Sequence, residues 1–325
     1  MKLQRRQFLH LAAGAVALPA VSRLAQAQTY PSRPVRLIVG FTAGGGSDIL
    51  ARLTGQELSQ RLGQPFVVEN RTGAGSNIAA EIVVNAPADG HTLLLATTAN
   101  AVNATLYDRL NFNFIRDIAP VAGLLRVPNV MLVNPAVPAE TVPEFIAYAK
   151  ANPTEVNMGS GGNGGPVHMA GELFKMMAGV NLVHVPYRGE ALALTDLLGG
   201  QVQVVFGSIP SSIGYIRGNQ LRPLAVTTFT RSETLPDVPA MADFVPGYEM
   251  STWYGIGSPK DTPTEVIDKL NIGINAVLAD PGFKARLADL SGTVLGGSPA
   301  ALGSLIAEET QKWAKVVKFA GMTPI

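Results

Sequence analysis

Short runs of aliphatic and β-branched residues alternate with helical patterns along the first third of the chain. The runs at 35–39, 65–69 and 92–96 predict buried strands. Apolar residues within 49–62 recur at helical spacing, and a second helical pattern follows the second strand. This alternation of strand, turn and helix predicts an α/β fold with a mainly parallel sheet.

The middle of the chain repeats this order of elements. Residues 130–133, 182–185 and 202–206 predict strands, and helical patterns at 142–151 and 191–198 lie between them. The order predicts a second α/β unit. Two further helical patterns close the chain after a Pro-rich loop.

Two crossovers are predicted to join these units. About 300 residues remain once a leader is removed, which is more than one hydrophobic core usually serves. With crossovers near 125–129 and 247–251, residues 28–127 plus 250–325 form lobe 1, and residues 128–249 form lobe 2. Two connections between two lobes make a hinge.

Three glycine-rich turns each follow a predicted strand and precede a predicted helix. They lie at 43–48, 72–77 and 159–165. Glycine lets a ligand approach the backbone closely, and the first N–H groups of a helix have no partner inside it. Helix starts therefore bind anions, and ligands of open α/β sheets bind at the carboxyl ends of the strands. The turns predict an anion-binding cleft built from backbone amides, with Ser47 as the N-cap of the first helix.

The charge balance argues against a polyanionic partner. The chain has 25 Lys and Arg residues against 24 Asp and Glu residues. Residues 1–27 hold four of the basic residues and no acidic one, so the remainder has a net charge of −3. No basic stripe indicates binding to nucleic acid or to an anionic membrane.

The first 27 residues resemble a secretory leader. They combine a basic start that includes Arg5 and Arg6, an apolar run at 8–20 and a small-x-small motif at 25–27. The pattern predicts a signal peptide that is cleaved near Ala27-Gln28. The paired arginines favour the twin-arginine route, and an ordinary signal is the alternative.

The chain contains no cysteine, which excludes disulfides and a lipidated cysteine anchor. A free, monomeric periplasmic protein is predicted. His91, His168 and His184 lack the spacing of metal ligands, so neither a metal nor another cofactor is predicted.

Enzymatic motifs are incomplete. The pattern G-x-G-x-x-G at 159–164 lacks the acidic residue that a dinucleotide site requires about 20 residues later. Gly159-Ser160-Gly161 and Gly207-Ser208 fall short of the G-x-S-x-G turn of α/β hydrolases. We therefore predict that the protein is not an enzyme, and a hydrolase-like enzyme stays as the less favoured alternative.

Eight short motifs occur in a fixed order along the chain, among them Val185-Pro186-Tyr187-Arg188-Gly189. They lie at 40–48, 69–75, 90–94, 168–173, 185–189, 221–227, 235–239 and 253–255. This set resembles the substrate-binding proteins of tripartite tricarboxylate transporters, also called the Bug family. The resemblance implies a type II periplasmic binding fold whose two α/β lobes close on a small carboxylate. It also implies delivery to a membrane permease, with sensing for a membrane receptor as the alternative.

The turns and the resemblance together define a set of candidate ligand-binding residues. These are Phe41, Gly44, Gly45, Ser47, Asn70, Thr97, Thr98, Ser160, Gly164, Gly165, His168, Tyr187, Gly189 and Ser208. Asp48 is expected to point away, because its charge would repel an acid. Many members of the family carry Asp where this chain has Gly207. The absence of that acid predicts a di- or tricarboxylate or an aromatic acid rather than an amino acid.

Overall fold

The computed structural model describes residues 30–187 and 189–322. The predicted signal peptide and Arg188 lie outside the described residues.

Ten strands and eleven α-helices are found in the described residues. The strands are β1 (Val35–Val39), β2 (Phe66–Asn70), β3 (Thr92–Thr97), β4 (Ile118–Val133), β5 (Asn157–Ser160), β6 (Val183–Pro186), β7 (Val204–Ser208), β8 (Arg222–Val226), β9 (Ser251–Pro259) and β10 (Thr293–Gly296). The helices are α1 (Gly46–Leu62), α2 (Asn77–Val84), α3 (Thr98–Leu106), α4 (Phe114–Asp117), α5 (Val142–Ala151), α6 (Pro166–Ala178), α7 (Glu190–Leu198), α8 (Ile209–Arg217), α9 (Thr264–Ala279), α10 (Pro281–Asp289) and α11 (Pro299–Phe319).

One long strand, β4, belongs to both halves of the molecule. The strand order is β2-β1-β3-β9-β4-β7-β5-β6, and β8 and β10 also pair with β4. Its first part pairs with β9 as far as Pro128 opposite Ser251, and its second part pairs with β7 from Asn129 opposite Ser208. The sheet therefore passes from one half to the other between Pro128 and Asn129.

The predicted parallel strands form the outer part of each half. Strand β1 runs parallel to β2 and β3, and β5 runs parallel to β6 and β7. The strands next to β4 run antiparallel to it. Because the parallel strands end together, the turns after β1 and β3 meet in one half, and those after β5, β6 and β7 meet in the other.

The start of α1 differs from the sequence prediction. Gly45, not Ser47, is the N-cap residue, and it makes no side-chain cap. Gly45 has an extended backbone, and its carbonyl accepts the N–H of Ile49 at 3.0 Å. The helix therefore begins earlier than the side-chain pattern indicated.

Candidate ligand-binding site

A cleft of about 610 Å³ is bordered by the starts of five helices. The N-cap residues of α1, α3, α6, α7 and α8 all line it, and they are Gly45, Thr97, Gly165, Gly189 and Ser208. Two of these starts follow strands of the first half, and three follow strands of the second. The positive end of a helix dipole lies at its N-terminus, so the arrangement favours a bound anion.

The start of α1 supplies free donors to the cleft. Gly46 and Ser47 line it, and their N–H groups have no acceptor among the described residues. The N–H of Gly44 is used internally, since it donates to Oδ2 of Asp48 at 2.9 Å. Gly44 has a φ of 82°, which L side chains rarely adopt. Phe41 also lines the cleft beside this turn.

Asp48 is held under the turn, away from the cleft lining. Its carboxylate accepts hydrogen bonds from Arg52 at 3.0 Å and from Nδ2 of Asn70 at 3.0 Å. Burial opposes ionisation, but the hydrogen bonds from Arg52, Gly44 and Asn70 lower the pKa of Asp48. Asn70 also donates to the carbonyl of Phe41 at 2.9 Å, so it braces the turn and does not line the cleft.

The start of α6 presents a second set of free donors. Gly165 and Val167 line the cleft, and the N–H of Val167 has no acceptor among the described residues. Gly164 does not line the cleft, and its N–H donates to Nδ1 of buried His168 at 3.0 Å. The His168 ring stacks on His184 with centroids 3.6 Å apart. His168 therefore supports this turn from beneath.

Ser160 is fully buried behind the same turn. Its Oγ lies 2.6 Å from Nε2 of His184 and accepts the N–H of Gly162 at 3.2 Å. Burial and the neighbouring His168 lower the pKa of His184 to about 3. This serine and histidine pair does not line the cleft.

Two further candidate residues hold the frame of the site. The Tyr187 hydroxyl donates to Asp196 at 2.7 Å, and burial together with Asp196 raises the pKa of Tyr187 to about 12. Thr98 is buried, and its Oγ1 accepts the N–H of Trp253 at 3.0 Å. Neither Tyr187 nor Thr98 lines the cleft.

The glycine-rich turn at 72–77 does not border the cleft, contrary to the sequence prediction. It follows β2, the outermost strand of its half, which places it away from the centre of the sheet. Its Gly75 carbonyl accepts Nδ2 of Asn103 at 2.7 Å. Two of the three predicted turns therefore border the cleft.

Glu190 is a cleft residue that the sequence reasoning missed. Among the described lining residues it is the only one with a charged side chain. Its Oε1 accepts the N–H of Ser208 at 2.6 Å, and the Ser208 hydroxyl lies 3.1 Å from both carboxylate oxygens. Burial raises the pKa of Glu190 to about 7, against the opposing effect of the hydrogen bonds from Ser208. In the sequence, the position of Glu190 directly after Gly189, in the first turn of a helix, is the one feature that indicates its place at the cleft.

Glu190 also occupies the space beside Gly207. A Cβ at residue 207 would lie 3.1 Å from Oε1 of Glu190 and 2.7 Å from Oγ of Ser212. Residue 207 itself carries no acid, as the sequence shows, but a carboxylate from a different segment of the chain lies beside it.

A second hollow, of about 780 Å³, has a different lining. We call it the arginine hollow, because Arg126, Arg217 and Arg231 border it. The last residue of α8 lies there, and so does Ala288 near the end of α10. No helix N-cap described in the structure borders it. Helix C-termini disfavour anions, so the larger hollow is the weaker candidate.

Within residues 30–187 and 189–322, no group of three or more acidic, histidine or cysteine side chains is placed to hold a metal ion. No helix in these ranges has the length and apolar character needed to cross a bilayer.

Two α/β halves around an anion-binding cleft define the class of periplasmic-type solute-binding proteins. Residues 50–322 match the model of the family described as the tripartite tricarboxylate transporter family receptor, and the chain belongs to that family. The resemblance noted from the sequence motifs is thereby confirmed.

Relatives with similar sequence or structure extend over nearly the whole chain. Protein BugT of Bordetella pertussis is 35% identical over 309 residues, which cover 94% of this chain and 95% of that protein. The structure of R. palustris Rpa4515 with adipate is 38% identical, with a TM-score of 0.84, and the match covers 91% of this chain and 100% of that one. MatC (Rpa3494) from Rhodopseudomonas palustris with bound malate is 30% identical, with a TM-score of 0.80, and covers 89% and 100%.

Proposed function

We propose that this protein captures a small organic acid in the cleft and delivers it to the permease of a tripartite tricarboxylate-type transporter. The observation that carries the proposal is the meeting of five helix N-caps at one cleft. Membership of the receptor family supports the transport role, and two similar structures hold the carboxylates adipate and malate. The residues proposed to contact the acid are the candidates that line the cleft: Phe41, Gly44, Gly45, Ser47, Thr97, Gly165, Gly189 and Ser208.

Backbone donors are sufficient in number for such a ligand. Hydrogen bonds to a charged group contribute about 1.5–3 kcal/mol each. Micromolar affinity requires about 8 kcal/mol net. The free N–H groups at the starts of α1 and α6, on opposite halves, together with hydroxyl donors, therefore suffice after the cost of closing the cleft.

The lobe bounds predicted from the sequence belong to this proposal. Closure would bring residues 128–249 toward residues 28–127 plus 250–325, with a hinge where β4 passes between Pro128 and Asn129. Scattering from the protein with and without its acid tests this. We expect the radius of gyration to fall on saturation, and an unchanged radius would argue against a hinge.

The proposed setting is the periplasm, with the signal peptide removed and the protein monomeric and free of a lipid anchor. Fractionation of cells that produce the full chain tests the location, and mass spectrometry of the exported protein tests cleavage near Ala27-Gln28. A protein that stays in the cytoplasm would contradict this part of the proposal.

A thermal-shift screen of organic acids tests the binding function most directly. At one hundred times its dissociation constant, a ligand stabilises the protein by about 2.7 kcal/mol. We expect at least one di- or tricarboxylate, hydroxy acid or amino acid to raise the melting temperature by several degrees. If no acid in a broad panel changes the melting temperature, the proposal fails.

A further inference from the structure

We infer that Glu190 selects, among small organic acids, those that also carry a hydroxyl or ammonium group as a hydrogen-bond donor. The inference rests on the proposed function, because it concerns the ligand of the same cleft. Glu190 would determine the specificity of the cleft, and the preferred ligands would be hydroxy acids or amino acids.

The carboxylate of Glu190 has spare capacity to accept hydrogen bonds. Ser208 supplies one N–H and one hydroxyl, and the hydroxyl has a single proton for the two oxygens that lie 3.1 Å from it. A carboxylate accepts about four hydrogen bonds. Because Glu190 lines the cleft, a ligand donor can fill the remaining positions.

The cleft has one surface that attracts anions and one acidic side chain, and the two differ in electrostatic character. Free amides at the starts of α1 and α6 attract carboxylates, whereas Glu190 is the only described lining residue with a charged side chain. At pH 8, where Glu190 is mostly ionised, an acid without a donor would place negative charge near its carboxylate with no compensating bond. The charge of Glu190 also adds to burial in raising the pKa of Tyr254, whose hydroxyl would lie 3.7 Å from a Cβ at Gly46 in the start of α1. The carboxylate therefore acts on the anion-binding side of the cleft as well.

The backbone at Gly207 keeps this place open for Glu190. A Cβ there would crowd both Oε1 of Glu190 and Oγ of Ser212. Gly207 therefore leaves room for an acid in the cleft, and on this inference we expect a preference opposite to the one that the missing Asp at residue 207 predicted.

Calorimetric titration at pH 8 with succinate, malate and aspartate tests the inference on the purified protein. These acids share a four-carbon chain and differ at one carbon by hydrogen, hydroxyl or ammonium. A six-carbon set of adipate, 2-hydroxyadipate and 2-aminoadipate makes the same comparison for a longer ligand. We expect a donor-bearing acid to bind at least tenfold more tightly than its plain counterpart, and its identity distinguishes hydroxyl from ammonium.

Three variants connect this preference to the carboxylate. Glu190→Gln should reduce the preference to less than threefold while plain dicarboxylates bind as tightly as before or more tightly. Gly207→Ala should weaken the same preference by displacing Glu190. Glu155→Gln is the matched control, because it makes the same substitution at an exposed glutamate of the same half, outside the cleft lining. It should keep the wild-type preference.

The outcomes separate this inference from the proposed function. Plain acids that bind the wild-type protein as tightly as their donor-bearing counterparts would overturn the inference and leave the function standing. An equal loss of preference in Glu155→Gln and Glu190→Gln would also overturn it. If no acid binds, the proposed function fails and the inference fails with it.

Discussion

Three helix starts at the cleft differ from four helix starts elsewhere in the described residues. Away from the cleft, α4, α5, α10 and α11 begin with side-chain caps from Asn113, Thr141, Asp280 and Ser298. At the cleft, α1, α6 and α7 begin after glycines, which have no side chain to cap them. The four capped helices, which we call the outer helices, satisfy one of their first N–H groups each, whereas α1, α6 and α7 have no side-chain cap and leave theirs for a ligand. Thr97 caps α3 at the cleft, and α2 and α9 begin away from it without a side-chain cap, so the contrast is between these four helices and these three.

The arginine hollow gives a second contrast with the cleft. Helix α8 contributes its first turn to the cleft and its last residue, Arg217, to the hollow. Arg126 there lies 3.6 Å from Glu249 and donates to Ser251 at 3.2 Å. Cationic side chains therefore accompany the negative end of the helix, and the positive end borders the cleft.

Giving α1 a cap like those of the outer helices should have the largest effect. In Gly45→Asp, the new carboxylate would accept the free N–H groups and compete with the ligand from within the protein. The φ of −80° at Gly45 suits any residue, and a Cβ there meets only the Thr42 carbonyl at 3.5 Å. We expect acid affinity to fall about 100-fold or more by calorimetry, while the free energy of unfolding rises by about 0.5–1 kcal/mol.

Gly45→Asn is the matched control for charge, because it offers a neutral cap of the same shape. It should cost about tenfold in acid affinity, equivalent to about 1.4 kcal/mol. Equal affinities of both variants and the wild-type protein would contradict the role of the α1 amides.

The second largest effect should be a pH dependence from Glu190, which lies at the start of α7. Its pKa is about 7 in the folded protein against a usual 4.5, so the folded state binds its proton more tightly than the unfolded state. Unfolding free energy should therefore fall as pH rises from 4.5 to 7 and then level off. The expected loss is on the order of 2 kcal/mol, less than the full shift would give because the side chain is partly exposed.

Urea denaturation of the wild-type protein and Glu190→Gln across this range measures the effect. The difference in unfolding free energy between the two proteins should change with pH and become constant above about pH 7. A difference that is the same at pH 5 and pH 7.5 would show that Glu190 does not titrate in this window.

Removing an outer cap should affect stability and leave binding unchanged. Thr141 accepts the N–H of Glu144, whose side chain returns a bond to the Thr141 backbone. Thr141→Ala should lower the free energy of unfolding by about 1 kcal/mol in urea denaturation, and Thr141→Ser should retain most of it. Acid affinity should change by less than about twofold. A larger loss would show that the start of α5 and the helix starts at the cleft are not independent.

Neutralising the arginine hollow should have the smallest effect on binding. Both Arg217 and Arg231 are exposed, and exposed charges are well screened. The double substitution Arg217→Gln and Arg231→Gln should change acid affinity by less than about threefold in calorimetry at physiological salt. A tenfold loss would place the acid in the hollow instead of the cleft.

Local sequence signals predicted the regular elements best. Residues 35–39 and 142–151 match β1 and α5, because strong hydrophobic patterns and Pro143 near the helix start mark them. The hydrophobic pattern does not predict helix α3, because its buried side chains include Asn100 and Asn103 and hide the apolar period. Only the end of β4 was predicted, since Pro120 and Pro128 resemble strand breakers.

The candidate site was predictable where it depends on one turn. Gly45, Gly165 and Gly189 each follow a strand and precede a helix, so their position in the chain indicates their place at the cleft. Glu190 and Tyr254 come from segments far apart in sequence, and only the folded sheet brings them to the same cleft. Thr98 and Asn70 resembled ligand residues because a polar loop residue that braces a turn has the same local pattern as one that binds.

Amide chemical shifts on ligand addition test the central claim most directly. With the acid that stabilises the protein most in the screen, we expect the largest backbone ¹⁵N–¹H shifts at Gly46, Ser47 and Val167. The Nε signals of Arg126 and Arg217 should stay nearly unchanged. Large shifts at these arginines, with the three backbone amides unmoved, would contradict recognition of the acid by helix starts.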